Sequence, residues 1–135
     1  MSALSTPRPG TLPQLLGTSR PLSWINTAYP FAAAYLLTGG GVGTALLVGT
    51  VFFLVPYNLL MYGVNDVFDH ESDLRNPRKG GVEGIVLDRR VHRTTLWAAG
   101  LGSLPFVVAL LVLGGLASGT VLLVVLAAVV GYSAP

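Results

Sequence analysis

Asn65-Asp66-Val67-Phe68-Asp69-His70-Glu71-Ser72-Asp73 closes a stretch, 21–65, that holds no Asp, Glu, Lys or Arg. A second uncharged stretch, 94–135, follows the polar interval 66–93. About 20 helical residues cross a bilayer core, so each uncharged stretch accommodates two crossings. The reading is an all-α integral membrane protein with four transmembrane helices, and the acidic nonapeptide sits where the second of them leaves the membrane.

Composition agrees with that reading. Hydrophobic residues make up 52% of the 135 and charged residues 10%, against about 25% charged in an ordinary soluble domain. A net charge of +2 with no basic cluster free of acids gives no footing for a nucleic-acid partner. The absence of cysteine excludes disulfides and thiolate metal sites.

Residues 1–20 are rich in Pro, Ser and Thr, carry only Arg8 and Arg20 as charges, and read as a mostly irregular cytoplasmic tail. They do not read as a signal peptide, because Leu12–Leu16 is short and contains Pro13. Spans are expected at about 21–37, 44–62, 94–113 and 117–135. Glycine-rich turns join them at 38–43 and 114–119, and the cytoplasmic connection is 63–93. Arg75, Arg78, Lys79, Arg89, Arg90 and Arg93 in that connection place it, with the tail, on the cytoplasmic side. Pro30, Pro56 and Pro105 fall inside spans, where lipid-embedded helices bend around proline. The sequence stops at Tyr132-Ser133-Ala134-Pro135 with no flanking charge and reads as part of a longer chain.

On a helical wheel Asp66, Asp69 and Asp73 fall within roughly a 60° sector. Three carboxylates on one face repel. The face therefore needs either solvent counterions or a divalent metal, and hard carboxylate oxygens suit Mg²⁺ or Mn²⁺. Asn65 adds another oxygen donor at the membrane border, where an unpaired polar group is costly. Arg75, Arg78 and Lys79 follow closely and can reach phosphate oxygens, ahead of the flexible pair Gly80-Gly81. Acids, bases and glycines beside a bilayer suit an amphiphile with a phosphorylated head; the competing reading is a solvated connection satisfied by its own ion pairs. Asn58 lies two turns deeper than Asn65 and either bonds across helices or lines a substrate cavity, as does Asn26 in the first span. Trp24 is also an interfacial anchor by type. His70 could be ligand, base or bystander, and bystander is the default reading.

The pattern Asn65-Asp66-x-x-Asp69-x-x-x-Asp73 at the cytoplasmic end of a second span resembles the first aspartate-rich motif of the UbiA family of intramembrane prenyltransferases. Arg20-Pro21 and Tyr132-Ser-Ala-Pro135 are similar to that family's other marks. Within the family, Ser19–Pro30 and Asn65–Gly84 look most like the lycopene elongases of C50 carotenoid biosynthesis. The resemblance implies an Mg²⁺-dependent transfer of a dimethylallyl group from an allylic diphosphate, dimethylallyl diphosphate, to a lipophilic acceptor, lycopene. In it Asp66, Asp69 and Asp73 hold the metal as catalytic residues. The departing diphosphate would leave an allylic cation for the acceptor's double bond to attack, in a cavity kept dry. The family's fold has about nine helices and a second aspartate-rich motif, which this sequence lacks, so the resemblance implies an incomplete N-terminal part of the domain. Two rival readings stay open: an aromatic or quinone-precursor acceptor, and a small multi-span membrane protein without catalysis.

Overall fold

A computed structural model describes residues 10–77 and 85–133. Among these residues all regular structure is helical: α1 (Thr11–Thr18), α2 (Trp24–Leu37), α3 (Thr44–Leu54), α4 (Pro56–Phe68), α5 (His70–Asp73) and α6 (His92–Ser133), with 3₁₀ turns at Pro21–Ser23 and Arg89–Val91.

The glycine-rich turn after α2 forms a Schellman cap. Gly39 takes φ 95°, Gly39 N–H donates to the Leu36 carbonyl at 3.2 Å, and Gly40 N–H donates to the Tyr35 carbonyl at 2.8 Å. A left-handed residue there needs no Cβ, which is why glycine stops the helix cleanly. The chain then turns back and packs α3 on α2, where Phe31 lies against Gly49 so closely that any Cβ at that position would strike the ring. Phe31, Phe52, Phe53, Tyr57 and Phe106 continue the contact as a chain of tilted and edge-on aromatic pairs.

Pro56 divides α3 from α4. It occupies the first position of α4, where its missing N–H has no helical partner to lose. The run Thr44–Phe68 is 25 residues long, about 37 Å at 1.5 Å per residue, enough to cross a hydrocarbon core of about 30 Å.

As one straight rod the 42 residues of α6 would reach about 63 Å. Instead the helix reverses at Gly115, whose φ of 80° and ψ of −175° interrupt it. The arm 92–114 descends from Thr95, packed on Gly63, past Ser103, whose hydroxyl donates to the Pro56 carbonyl at 3.4 Å. The arm 116–133 climbs back, so that Ser133 donates to Asn65 Oδ1 at 3.2 Å. Gly63 and Asn65 are neighbours on α4, so both ends of α6 stand at one level of the bundle. Leu111 lying against Gly119 marks the fold-back.

Two helical runs, Thr44–Phe68 and Arg89–Ser133, are long and apolar enough to cross a membrane. Large apolar side chains point outward from them and from the turns, Leu116 at 89% and Val42 at 90% exposure among them, an arrangement that lipid rather than water accommodates.

Several boundaries differ from those expected. Residues 11–18 are helical and not an irregular tail, because Pro13 lies in the first turn of α1, where proline is tolerated. Gln14, Thr18 and Ser19 are buried, so this segment belongs to the body of the molecule. The span expected to end at 62 continues as helix to Phe68, carrying Asn65 and Asp66, and the helix read through 65–73 breaks at Asp69. The second glycine turn contracts to Gly115 alone. α2 begins later than the expected first span, which the 3₁₀ turn Pro21–Ser23 and α2 fill together. Of the connection, 85–91 folds back on α1: Ile85 covers Gly17, Asp88 N–H donates to Gln14 Oε1 at 2.9 Å, and Leu87 is fully buried.

Candidate functional site

The last turns of α4, Arg20 at the elbow after α1 and the end of α6 line an open cavity of about 530 Å³. Its polar wall is Arg20, Tyr62, Asn65, Asp69, Tyr132 and Ser133; Met61, Ala128 and Val129 form its apolar side. Asn65 and Asp69 reach it from successive turns of one helix face, as the i, i+4 spacing requires. Asp69 caps α4 (φ −95°, ψ 15°) and is exposed. The Ser133 hydroxyl fixes the carbonyl side of the Asn65 amide.

Asp66 does not line that cavity. Its residue is fully buried, its Oδ2 accepts from Thr18 Oγ1 at 2.5 Å and its Oδ1 from Arg20 Nη2 at 3.2 Å. Arg20 lies over the Tyr62 ring, 4.0 Å from its centre. Its backbone is left-handed at φ 52°, ψ 73°, the elbow between α1 and the 3₁₀ turn. Asp73 is buried on α5, and Arg75 is exposed beyond it. Arg78 and Lys79 lie outside the described residues.

His70 and His92 meet edge-on, with ring centres 4.8 Å apart. They lie beside the ion pair of Glu71 and Arg89 in a different, shallow pocket.

Asn58 is fully buried and spans the Pro56 break. Its amide donates to Thr27 Oγ1 at 2.6 Å, to the Leu54 carbonyl at 2.9 Å and to the Phe53 carbonyl at 3.1 Å. Thr27 Oγ1 in turn donates to the Phe53 carbonyl at 2.6 Å. The amide therefore ties α2 to the α3–α4 junction, an interhelical bond and not a cavity wall. Asn26 is on the exposed side of α2. An apolar cavity of about 260 Å³ opens farther down, between Phe31, Tyr35 and Phe53 on one side and Leu113, Val121 and Leu122 on the other.

The cavity-facing donors Asn65 and Asp69 are hard oxygens and suit Mg²⁺ in chemistry. They make up part of a coordination shell, and among the described residues no three His, Asp or Glu side chains converge on one point. Mg²⁺ often takes only one or two carboxylates, with water and substrate phosphate completing its shell, so this partial set fits that mode of binding.

Sequence reasoning missed Thr18, Arg20, Tyr62 and Ser133 as parts of the site. One signal was present: a carboxylate one turn inside an apolar helix requires a nearby cation or donor, and Arg20 is the basic residue that borders the first uncharged stretch.

The family described as the UbiA prenyltransferase family matches residues 27–135. The chain is similar to a lycopene elongase/hydratase of Corynebacterium glutamicum, 54% identical over 121 residues, covering 90% of this chain and 42% of that protein. It is also similar to the C(50) beta-cyclic carotenoids biosynthesis protein LbtBC of Dietzia sp. (strain CQ4), 56% identical over 126 residues, covering 93% of this chain and 29% of that one. A lycopene elongase/hydratase of Haloarcula japonica is 32% identical over 140 residues, covering 100% of this chain and 46% of the relative. The chain thus spans less than half the length of each of these curated relatives. No solved structure matches it.

Proposed function

Because the chain belongs to the UbiA prenyltransferase family, we propose that it forms the N-terminal part of an enzyme that moves an isoprenoid group from an allylic diphosphate to a lipophilic acceptor. Dimethylallyl diphosphate is the proposed donor and an end of lycopene the proposed acceptor, after the names of the relatives that cover most of this chain. In this reading residues 21–135 contribute four crossings, with α1, the Asn65–Asp73 motif and the connection on the cytoplasmic face of the cell membrane.

The observation that carries the reading is the cavity at the head of α4. It brings a carboxylate, an amide and a guanidinium together directly above an apolar helical bundle. A diphosphate head fits the polar wall and an isoprenoid chain fits what lies beneath. Bound Mg²⁺ would supply neutralisation of charge on the departing diphosphate. Asp69 would hold such a cation through its carboxylate, with the Asn65 side-chain carbonyl, which also accepts from Ser133, beside it, and Arg20 would donate N–H to phosphate oxygen. Arg75, with Arg78 and Lys79, would add cationic donors from the connection. Met61, Ala128 and Val129 keep the lower wall free of groups that could hold water near a reacting carbon.

The test is expression of the full-length gene product in lycopene-producing cells, with pigment analysis. C45 and C50 carotenoids are expected with the native sequence. At least a hundredfold less is expected with Asp69→Ala, on the scale of losing a group that stabilises developing charge, about 10²–10³-fold. Unaltered lycopene with the native sequence removes the acceptor assignment, and full activity in Asp69→Ala removes the site.

A further inference from the structure

The two aspartates of the first motif turn face different partners. Asp69 lines the cavity. Asp66, one turn earlier, has each carboxylate oxygen engaged by a side chain of the N-terminal segment, Thr18 on Oδ2 and Arg20 on Oδ1. A cation seeking Asp66 would have to displace a 2.5 Å hydrogen bond between two side chains that are both fully buried.

We infer that Asp66 is a positioning residue and not a metal ligand: with Thr18 it forms a buried anchor that aims the Arg20 guanidinium into the cavity beside Asn65 and Asp69. The inference rests on the diphosphate-site reading above and assigns a division of labour within it.

Three observations carry it. Arg20 is constrained at both ends, by its left-handed backbone at φ 52° and by the Asp66 carboxylate, with the Tyr62 ring beneath the guanidinium. Its side chain is only 16% exposed, yet its Nε is buried with no hydrogen-bond partner among the described residues. Arg20 as a residue lines the cavity, where a charged N–H donor favours an anionic oxygen. Finally, Thr18 is itself fixed, fully buried with its methyl toward Gly63, so that the anchor takes its position from the α1–α4 contact. Partners of this kind, acting one step behind a binding group, typically contribute 10–100-fold in affinity or activity.

The experiment measures Mn²⁺ affinity by the paramagnetic resonance of the free ion, inorganic pyrophosphate affinity by calorimetry, and melting temperature, all on the protein in detergent micelles. Asp69→Asn is expected to weaken Mn²⁺ binding about tenfold or more. Asp66→Asn is expected to leave Mn²⁺ affinity within about threefold while weakening pyrophosphate about tenfold. Thr18→Val should repeat the Asp66→Asn pattern, and Thr18→Ser, which keeps the hydroxyl, should restore native pyrophosphate affinity. An Asp66→Asn protein that melts normally but loses Mn²⁺ as far as Asp69→Asn does makes Asp66 a ligand and overturns the inference. Should Asp66→Asn fail to fold, the Thr18 pair decides: unchanged pyrophosphate binding in Thr18→Val, or no recovery in Thr18→Ser, overturns it equally. Unchanged Mn²⁺ and pyrophosphate binding in Asp69→Asn overturns the diphosphate-site reading itself, whatever Asp66 does.

Discussion

The two ends of the helical bundle are built by opposite means. At the acidic end, side chains far apart in sequence are tied by directional bonds: Thr18 and Arg20 to Asp66, Ser133 to Asn65, Gln14 to the backbone of Asp88. At the glycine-turn end the helices meet through aromatic rings and through glycines that let rings approach, as Phe31 does at Gly49. Directional bonds hold polar atoms at fixed points, which a binding site needs; ring packing holds helices together while leaving an apolar cavity, which a hydrocarbon chain needs. The difference puts the polar cavity at one end and the apolar cavity toward the other.

Asn58 stands between the two regimes, and removing its amide should blur them most. Asn58→Leu leaves the Leu54 carbonyl and Thr27 without their donor at a fully buried site. The expected loss is about 2–3 kcal/mol, at ~1–3 kcal/mol for each buried group left unsatisfied, read as a lowered midpoint of unfolding in mixed micelles. A midpoint equal to native would show that the α3–α4 junction holds by packing alone.

A smaller effect is expected at the far end. Gly115 adopts φ 80°, ψ −175°, a region open essentially to glycine. Gly115→Ala should cost about 1–3 kcal/mol by strain and loosen the contact of the arm 116–133 with α4. Cross-linking between cysteines introduced at Asn65 and Ser133, run with and without the alanine, measures that loosening; equal yields would mean the reversal does not depend on glycine.

The smallest change is expected on the outer surface of the acidic end. Glu71 and Arg89 pair there with both side chains about two-thirds exposed, 68% and 67%. Glu71→Gln should alter stability by less than about 1 kcal/mol, because exposed pairs are screened by solvent. A larger loss in the same unfolding assay would mean that the connection is clamped to α5 by charge and not by the burial of Leu87.

Much of this arrangement was legible in the chain. The uncharged stretches announced long apolar helices, and Gly114-Gly115 announced a reversal, although which glycine turns was a matter of one backbone conformation that composition does not encode. The wheel that grouped Asp66 with Asp69 and Asp73 assumed one unbroken helix, whereas α4 ends at Phe68, Asp69 leaves helical geometry at φ −95°, ψ 15°, and Asp66 is buried where Asp69 is exposed. It could not show that α1 occupies the side Asp66 faces, because Pro13 made that segment read as irregular when it lies harmlessly in a first turn. The burial of Leu87 and the docking of 85–91 arise from contacts across a long connection, which no local pattern records.

A reversal made by one residue also has a mechanical meaning. With a single non-helical residue between them, the two arms of α6 meet α4 at neighbouring positions, Gly63 and Asn65. The backbone angles of Gly115 therefore set where Ser133 stands relative to Thr95. The end of α4 is thereby contacted twice by one continuous piece of chain.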